Sequence, residues 1–231
     1  MTLAARPKEE IKAEAIVILQ AQGALEAAKY LAKTLFDGRM DKGGTPYFGH
    51  LERVARGVQV SGSPALRDAI RTIAYLHDLV EDIVDDPAQG IVGWTCQDLA
   101  EIGFGAFVID GVHALTKSSK EAPYFDEMVR LGQSPQAIPV KKSDLRDNSN
   151  ILRVPHLPNA DDIERLRKYY LSNRYLSDVE SGQTMPGTSF ISWMRTQPGK
   201  RQDWDLLKKY SKDPEVLALR NVSGLFSAPA P

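Results

Sequence analysis

The sequence predicts an all-α protein. Apolar residues recur at helical spacing in one segment after another, and helix-start signals such as Ser63-Pro64 and the pair Thr95 and Asp98 precede some of these segments. No segment combines period-two alternation with a hairpin turn, which is the pattern of a half-buried strand. With 231 residues, of which 42% are hydrophobic and 26% charged, the chain can bury an ordinary core. A bundle of helices is therefore expected.

Turn and cap residues divide the first part of the chain into four predicted helices. Pro7 suits a position in the first turn of a helix, and Gly38 suits a C-terminal cap. Ser63-Pro64 combines a cap with a first-turn proline in front of the longest helix, and Pro87 ends that helix. The predicted helices cover residues 7–22 and 24–36, a third segment from about 47 to 58, and residues 63 to about 84.

Two further helices are predicted in the next part of the chain, and the second of them could also be a strand. Thr95 with Asp98 resembles a capping box and predicts a short helix. The apolar stretch 103–115 is assigned to a helix by its length and surroundings, although its β-branched and aromatic residues would also suit a strand. After Ser134-Pro135, Pro139 is expected either to kink the next helix or to mark its true start.

The chain changes character after its last long predicted helix, which covers residues 160–179. We assign residues 1–180 to the main domain and residues 181–231, which glycine and proline punctuate, to a linker with a short helical appendage. The aromatic residues of this tail favour packing on its own domain, and binding to a partner stays open. Short helices and a disordered end are expected around residues 189–194, 202–210 and 226–231.

The overall charge and cysteine content restrict the function classes. Lysine and arginine total 29 against 30 aspartate and glutamate residues, for a formal net charge of -1, which argues against a general nucleic-acid binder. The single cysteine, Cys96, excludes an intrachain disulfide framework and favours a reducing compartment. Residues 1–10 contain no apolar core of the signal-peptide type, and no apolar run has the length of a membrane span. A cytoplasmic protein with a small-molecule partner is expected.

Residues 74–84 contain the most informative chemistry. On a regular helix, His77 lies one turn from Glu81, and Asp78 lies one turn from Asp82, so that the four side chains form one polar stripe. The alternative is a solvated acidic face, which is the usual meaning of an isolated run of charges. A histidine beside an aspartate, however, offers one imidazole and one carboxylate, a donor set that suits Mn²⁺, Fe²⁺ or Zn²⁺ better than Ca²⁺ or Mg²⁺.

The surrounding charge pattern favours a metal site. No lysine or arginine occurs between Arg71 and Lys117, although eight acidic residues lie in that window. Acidic residues without cationic neighbours are expected where a divalent cation supplies the positive charge. Two further candidate ligands flank the stripe, His50 before it and Asp144 after it.

These motifs together resemble the HD-domain phosphohydrolase superfamily. The closer resemblance is to the hydrolase domain of RelA/SpoT-type alarmone enzymes and to their stand-alone small relatives, and it covers about residues 24–176. Those enzymes of the stringent response remove the 3′-pyrophosphate of guanosine tetra- and pentaphosphate. The matching pieces are Gly44-Thr-Pro-Tyr47-Phe-Gly-His50, His77-Asp78-Leu-Val-Glu81-Asp82, residues 95–115 and residues 140–148.

The resemblance implies an HD-type helical bundle and a role for each matching residue. It implies one metal ion per site, preferably Mn²⁺ with Fe²⁺, Co²⁺ or Zn²⁺ as alternatives, and two acids that activate and position the attacking water. The implied metal ligands are His50, His77, Asp78 and Asp144; the implied catalytic acids are Glu81 and Asp82; the implied nucleotide contacts are Lys141 and Asn148.

Further substrate contacts are predicted on both sides of the metal motif. Arg146 lies within about a turn of Asp144 and is kept as a candidate phosphate ligand. The family commonly has an arginine or an Arg-Lys pair before the Gly-x-Pro-Tyr turn, and this chain offers Arg39 and Lys42 there in a different register. Guanine and adenine therefore both stay open. Because nothing resembling the family's synthetase domain follows, hydrolysis without synthesis is expected.

Two other functions stay open at the level of sequence. The same metal ligands would serve a nucleotidase or a deoxynucleotide phosphohydrolase. A catalytically inactive relative that binds a nucleotide or a protein would also keep the fold, although it would be expected to have lost a metal ligand. All four candidate ligands and both acids are present in this chain.

Overall fold

The structure, a computed structural model, describes residues 6–88, 90–153, 155–197 and 203–221. Within these ranges the chain is all-helical, as the sequence predicts, and it forms two isolated β-bridges but no strand. The helices are α1 (Lys8–Gln22), α2 (Ala24–Leu35), α3 (Tyr47–Gly57), α4 (Pro64–Leu76), α5 (Leu79–Asp82), α6 (Cys96–Ile102), α7 (Ala106–Leu115), α8 (Tyr124–Leu131), α9 (Ala137–Asn148), α10 (Ala160–Glu180), α11 (Phe190–Thr196), α12 (Trp204–Tyr210) and α13 (Pro214–Asn221), with a 3₁₀ turn at Ile151–Arg153.

Several predicted helix ends are confirmed by their capping contacts. The Ser63 hydroxyl accepts a hydrogen bond of 3.1 Å from the Leu66 amide at the start of α4. The capping box at the start of α6 is complete, because Thr95 and Asp98 each accept a hydrogen bond from the other's backbone amide. Residues 106–115 are helical rather than extended, and no neighbouring strand in the described residues is available to pair with them.

The prediction of one long helix over residues 63–84 is wrong. Helix α4 ends at Leu76, His77 and Asp78 form a turn, and α5 is a separate helix of four residues. The end of α4 leaves carbonyl groups without an amide partner, and the Ala74 carbonyl accepts a hydrogen bond of 2.8 Å from the His77 ring instead. The four polar side chains of this segment therefore do not form a stripe along one regular helix.

The second half of the chain contains a helix that the sequence analysis does not predict. Helix α8 follows Pro123 without a side-chain cap and has only eight residues, so that its local signals are weak. Its buried residues include Phe125, Met128 and Leu131.

Of the two alternatives for Pro139, the start of a helix is observed. Pro139 lies within the first turn of α9, where a missing amide costs no hydrogen bond.

The tail helices share the hydrophobic core of the main bundle. Phe190 and Trp193 of α11 are fully buried, and the Phe190 ring stacks on Phe125 with 4.2 Å between ring centroids. The Trp193 indole donates a hydrogen bond of 2.8 Å to Asp178 of α10. Helix α13 is an addition to the two short helices that the sequence predicts. The predicted disordered end, residues 226–231, lies outside the described residues.

The site is built at the junction of three helices near the middle of the chain. Helices α3, α4 and α9 pack against one another in pairs, and α7 and α10 pack on α9. This packing brings the ends of separate sequence motifs to one place. In the part of the chain that the structure describes, every helix is too short or too polar to cross a membrane.

Replacing Trp193 by alanine tests whether the tail is part of the folding unit. Trp193→Ala removes a fully buried indole together with its hydrogen bond to Asp178, so the free energy of unfolding should fall by about 3–5 kcal/mol. Met185→Ala, at an exposed position, is the matched control and should change it by less than about 0.5 kcal/mol. Urea titrations measure both values. A loss below about 1 kcal/mol for Trp193→Ala would contradict a shared core.

Candidate metal centre

Two buried histidine rings define the centre. His50 on α3 is 4% exposed and His77, which follows α4, is 3% exposed. Each ring uses its Nδ1 atom in a hydrogen bond, His50 with Asp147 at 2.7 Å and His77 with the Ala74 carbonyl at 2.8 Å. Because the carbonyl accepts, His77 Nδ1 carries the proton and its Nε2 atom offers a lone pair. That buried Nε2 atom has no hydrogen-bond partner.

Two aspartates face the same Nε2 atoms. Asp78 Oδ2 lies 3.0 Å from His77 Nε2, without hydrogen-bond geometry, and 3.7 Å from His50 Nε2. Asp144 Oδ1 of α9 lies 3.5 Å from His50 Nε2 and 3.9 Å from His77 Nε2. Donor atoms about 2.1 Å from a shared ion lie about 3–4 Å from one another. Ligand atoms of His50, His77 and Asp78 all lie within 4.8 Å of one another, so these three residues could hold one divalent cation. Asp144 lies beside this group and stays the predicted fourth ligand, with its Oδ2 atom 2.8 Å from Lys141.

The electrostatics of the four side chains also suit a cation. Burial lowers the pKa of His50, but hydrogen bonds with Asp147 and Asp78 and the charge of Asp144 outweigh it and raise the pKa to about 9. Burial opposes ionisation of Asp78 as well, yet the neighbouring His77 and His50 hold the pKa of that carboxyl below its usual range. The histidines and carboxylates of this buried site thus each need an opposite charge beside them. A bound divalent cation would supply the positive charge to both carboxylates.

Asp147 and the arginines bonded to it hold the His50 ring in its orientation. The Asp147 carboxylate accepts from His50 and also from Arg53, whose Nε atom lies 2.7 Å away. Arg153 contacts both Asp147 and Asp41, and Arg53 reaches Asp41 at 3.1 Å. A carboxylate that holds the outer nitrogen of a ligating histidine is common in metal sites. The sequence analysis does not assign a role to Asp147, although its position three residues after Asp144 places it on the same helix face.

Tyr47 connects the candidate ligands to the candidate base. Its hydroxyl contacts Asp78 at 2.6 Å and Asp82 at 3.2 Å, and its ring stacks on Phe36 with 4.8 Å between centroids. Burial raises the pKa of Asp82, and the charge of Asp78 adds to that shift. Asp82 is therefore easier to protonate than an exposed carboxylate. The turn before α3 contains Tyr47 in the sequence motif, but its contact with both aspartates depends on tertiary packing.

The expectation that the acidic window lacks cationic neighbours is wrong for several of its members. Lys117, the residue that closes the window, forms an ion pair with Glu81. Lys8 of α1 reaches Asp98 at 2.7 Å, and Lys12 lies 3.4 Å from the same carboxylate. The charge pattern along the chain is therefore a weaker argument for a metal than the arrangement of the four ligands. Lysines far away in sequence neutralise carboxylates that no local cation approaches.

A cavity of about 620 Å³ opens from the centre. Two predicted substrate contacts that line it are already bonded to Asp144: Lys141 Nζ lies 2.8 Å from Oδ2, and the Asn148 side-chain amide contacts Oδ1. Lys42 also lines the cavity. All six predicted ligands and acids, namely His50, His77, Asp78, Asp144, Glu81 and Asp82, belong to its wall.

Arg39 and Arg146, two other predicted substrate contacts, are not part of the cavity wall. Arg39 donates to the Asp82 carbonyl at 3.0 Å, and its guanidinium lies 5.5 Å from the centre of the Phe36 ring. Arg146 donates to the Gly57 carbonyl at 2.7 Å on the outer side of α9. Arg146 shares a helix with Asp144, but a separation of two residues directs the two side chains to different faces.

Helices α10 and α8 contribute residues to the cavity wall that have no predicted role. Helix α10 contributes Arg165, Lys168 and Tyr169, which share one helix face, and α8 contributes Tyr124. The signal available in the sequence is the spacing of two cations and an aromatic residue at positions i, i+3 and i+4.

The fold and the centre define an all-helical protein with a candidate divalent-metal site in the wall of a cavity. No protein-family model matches the chain, and a search of the curated proteins found no match.

Asp147→Asn tests the layer around His50. The amide is uncharged and holds the imidazole less firmly, so the affinity for Mn²⁺ should fall about 10–100-fold. Isothermal titration of chelator-treated protein with Mn²⁺ measures the affinity. Asp161→Asn, at an exposed position of α10, is the matched control and should bind Mn²⁺ like the unaltered protein. Equal affinities for both variants would contradict the role of Asp147.

Proposed function

We propose that this protein is a divalent-metal-dependent phosphohydrolase that removes the 3′-pyrophosphate of guanosine tetra- or pentaphosphate or of the adenosine analogues. The observation that carries the proposal is the convergence of His50, His77, Asp78 and Asp144 at one end of a cavity with cationic walls. Mn²⁺ is the preferred ion, one per site. The donor set of two imidazoles and two carboxylates supports this choice over Ca²⁺ or Mg²⁺.

When bound, such an ion supplies Lewis acidity that lowers the pKa of water and neutralises phosphoryl charge. The residues of the chain supply the proton acceptor. Asp82 borders the cavity, its pKa is raised by burial, and the Tyr47 hydroxyl holds it beside Asp78. Asp82 is therefore the better candidate for the general base. Glu81 is held by Lys117, and its assigned role is to position the attacking water.

The cavity walls favour a substrate with more than one phosphate group. The cations that line the cavity are Lys42, Lys141, Arg153, Arg165 and Lys168. Lys141, Arg153 and Arg165 among them are paired with carboxylates. Each cation can neutralise a phosphoryl oxygen, and an arginine can do so through two parallel hydrogen bonds. A nucleotide that carries phosphates at both its 3′ and 5′ positions matches this distribution of charge. The resemblance to the alarmone hydrolases independently supports the same substrate class.

One observation keeps a second function in view. Arg39 is bonded to the Asp82 carbonyl and lies on the Phe36 ring, so that it does not face the cavity where a guanine would stack. A nucleotidase or deoxynucleotide phosphohydrolase would use the same metal ligands without an arginine for the base. A cytoplasmic setting is part of the proposal, because nucleotides are the substrate and Cys96 is a free thiol.

A substrate panel tests the proposal directly. The purified protein is stripped with chelator, reloaded with Mn²⁺ and incubated with guanosine tetraphosphate, its adenosine counterpart and ordinary nucleoside mono- and triphosphates. Products are separated by ion-exchange chromatography. Guanosine diphosphate and pyrophosphate, formed only with metal, are the expected products. Turnover of the ordinary nucleotides alone would support the nucleotidase instead, and no turnover with metal bound would overturn both enzymatic functions.

Paired substitutions separate the metal ligands from the catalytic acids. His77→Ala should abolish Mn²⁺ binding and turnover together, because it removes a buried ligand whose Nε2 atom has no other partner. Asp82→Asn and Glu81→Gln should both bind Mn²⁺ normally. The variant that has lost the proton-accepting carboxylate should show a kcat that is about 10²–10⁴-fold lower. Asp110→Asn, exposed on α7, is the control. A His77→Ala protein that turned over normally without metal would exclude the mechanism.

A further inference from the structure

Tyr210, a residue of the tail, contacts a lysine of the cavity wall, Lys168. Lys168 of α10 lines the cavity, and its Nζ atom lies close to two aromatic rings. It is 4.4 Å from the centre of the Tyr124 ring, which belongs to the cavity wall, and 4.5 Å from the centre of the Tyr210 ring, which belongs to α12. The electron-rich faces of both rings attract the ammonium group. Tyr210 thus contacts a cavity residue without lining the cavity itself.

Polar contacts fasten this part of the tail to two helices of the cavity wall. On α10, Glu164 contacts the Tyr210 hydroxyl and lies 2.7 Å from Lys209 Nζ. On α8, Asp126 accepts from Ser211 and from the Lys212 amide, the latter at 2.9 Å. The end of α12 therefore contacts both α8 and α10, the two helices that contribute Tyr124 and Lys168 to the cavity wall.

Lys168 needs such support because its surroundings disfavour its charge. Burial and the nearby Lys42 lower the pKa of Lys168 to about 8. A lysine side chain has four flexible torsions, and a charged end would otherwise turn toward bulk water. The two rings stabilise the ammonium in the wall and limit the positions it can take.

We propose that Tyr210 is a positioning residue that holds the Lys168 ammonium in the cavity wall, where it binds a phosphate group of the substrate. The inference rests on the proposed function for the identity of the substrate. The contact of the Tyr210 ring with Lys168 carries the positioning role itself. The C-terminal segment is accordingly a part of the substrate site.

The test compares two substitutions at Tyr210 in the full-length, Mn²⁺-loaded protein. Tyr210→Phe keeps the ring over Lys168 and loses the contact with Glu164, whereas Tyr210→Ala loses both. Asp205→Ala is the matched control, because it removes a 3.1 Å ion pair between α12 and Arg167 of α10 that does not involve the cavity wall. Isothermal titration with inorganic pyrophosphate measures anion binding without turnover, and KM and kcat are measured with guanosine tetraphosphate.

Tyr210→Ala is expected to weaken pyrophosphate binding and to raise KM about tenfold, with kcat and Mn²⁺ affinity unchanged. Tyr210→Phe and Asp205→Ala should stay close to the unaltered protein. In a Lys168→Ala background, Tyr210→Ala should have no further effect, because the two residues act as a unit. A merely structural role would instead lower Tm in all tail variants and leave KM unchanged.

The outcomes distinguish this inference from the proposed function. Pyrophosphate binding that depends on the Tyr210 ring, in a protein that hydrolyses no nucleotide, would support the positioning role and reject the hydrolase. Hydrolysis with the same KM in every Tyr210 variant would reject the positioning role and keep the hydrolase. Equal pyrophosphate binding by all variants, or no binding by the unaltered protein, would overturn the inference.

Discussion

The orientation of two buried imidazole rings is the constraint on which the rest of the site depends. His50 and His77 each use Nδ1 in a hydrogen bond, one with a carboxylate and one with a helix-terminal carbonyl, and both Nε2 atoms therefore face Asp78 and Asp144. Burying an imidazole nitrogen without a partner is costly, so the unpartnered His77 Nε2 atom indicates a group that the protein is built to receive. The proposed divalent cation would supply a partner to His50, His77 and Asp78 together.

The break between α4 and α5 shapes the surroundings of His77 and Asp78. In a continuous helix the Ala74 carbonyl would also accept a backbone amide, and the His77 ring would have to share it. The turn at residues 77–78 frees that carbonyl and directs the Asp78 carboxylate toward both histidines. Local irregularity in a helix is thus the means by which two adjacent residues reach the same point. Regular helical geometry would have separated their side chains by about 100°.

The cavity wall combines acidic and basic residues. Each carboxylate of the candidate metal centre is held by a neighbour, Asp78 by Tyr47 and Asp144 by Lys141. Arg165 and Lys168 line the cavity from one face of α10, and Tyr210 of the tail packs against Lys168. The aromatic contacts of α11 and α12 with α8 and α10 belong to the same core as the helices of the metal centre. The tail is therefore part of the structure that shapes the cavity.

The sequence by itself determined the all-helical class and most helix ends, because periodicity and capping act within a few residues. The four candidate ligands came from short motifs and from the resemblance that these motifs carry, and they stay predictions. The sequence did not determine which carboxylates would find cations, since Asp98 pairs with lysines about 90 positions away. The contacts of His50 with Asp147 and of Tyr47 with Asp78 also join residues 97 and 31 positions apart. Only the tertiary structure decided these pairs and excluded Arg39 and Arg146 from the cavity, because side-chain direction depends on which helix faces pack together.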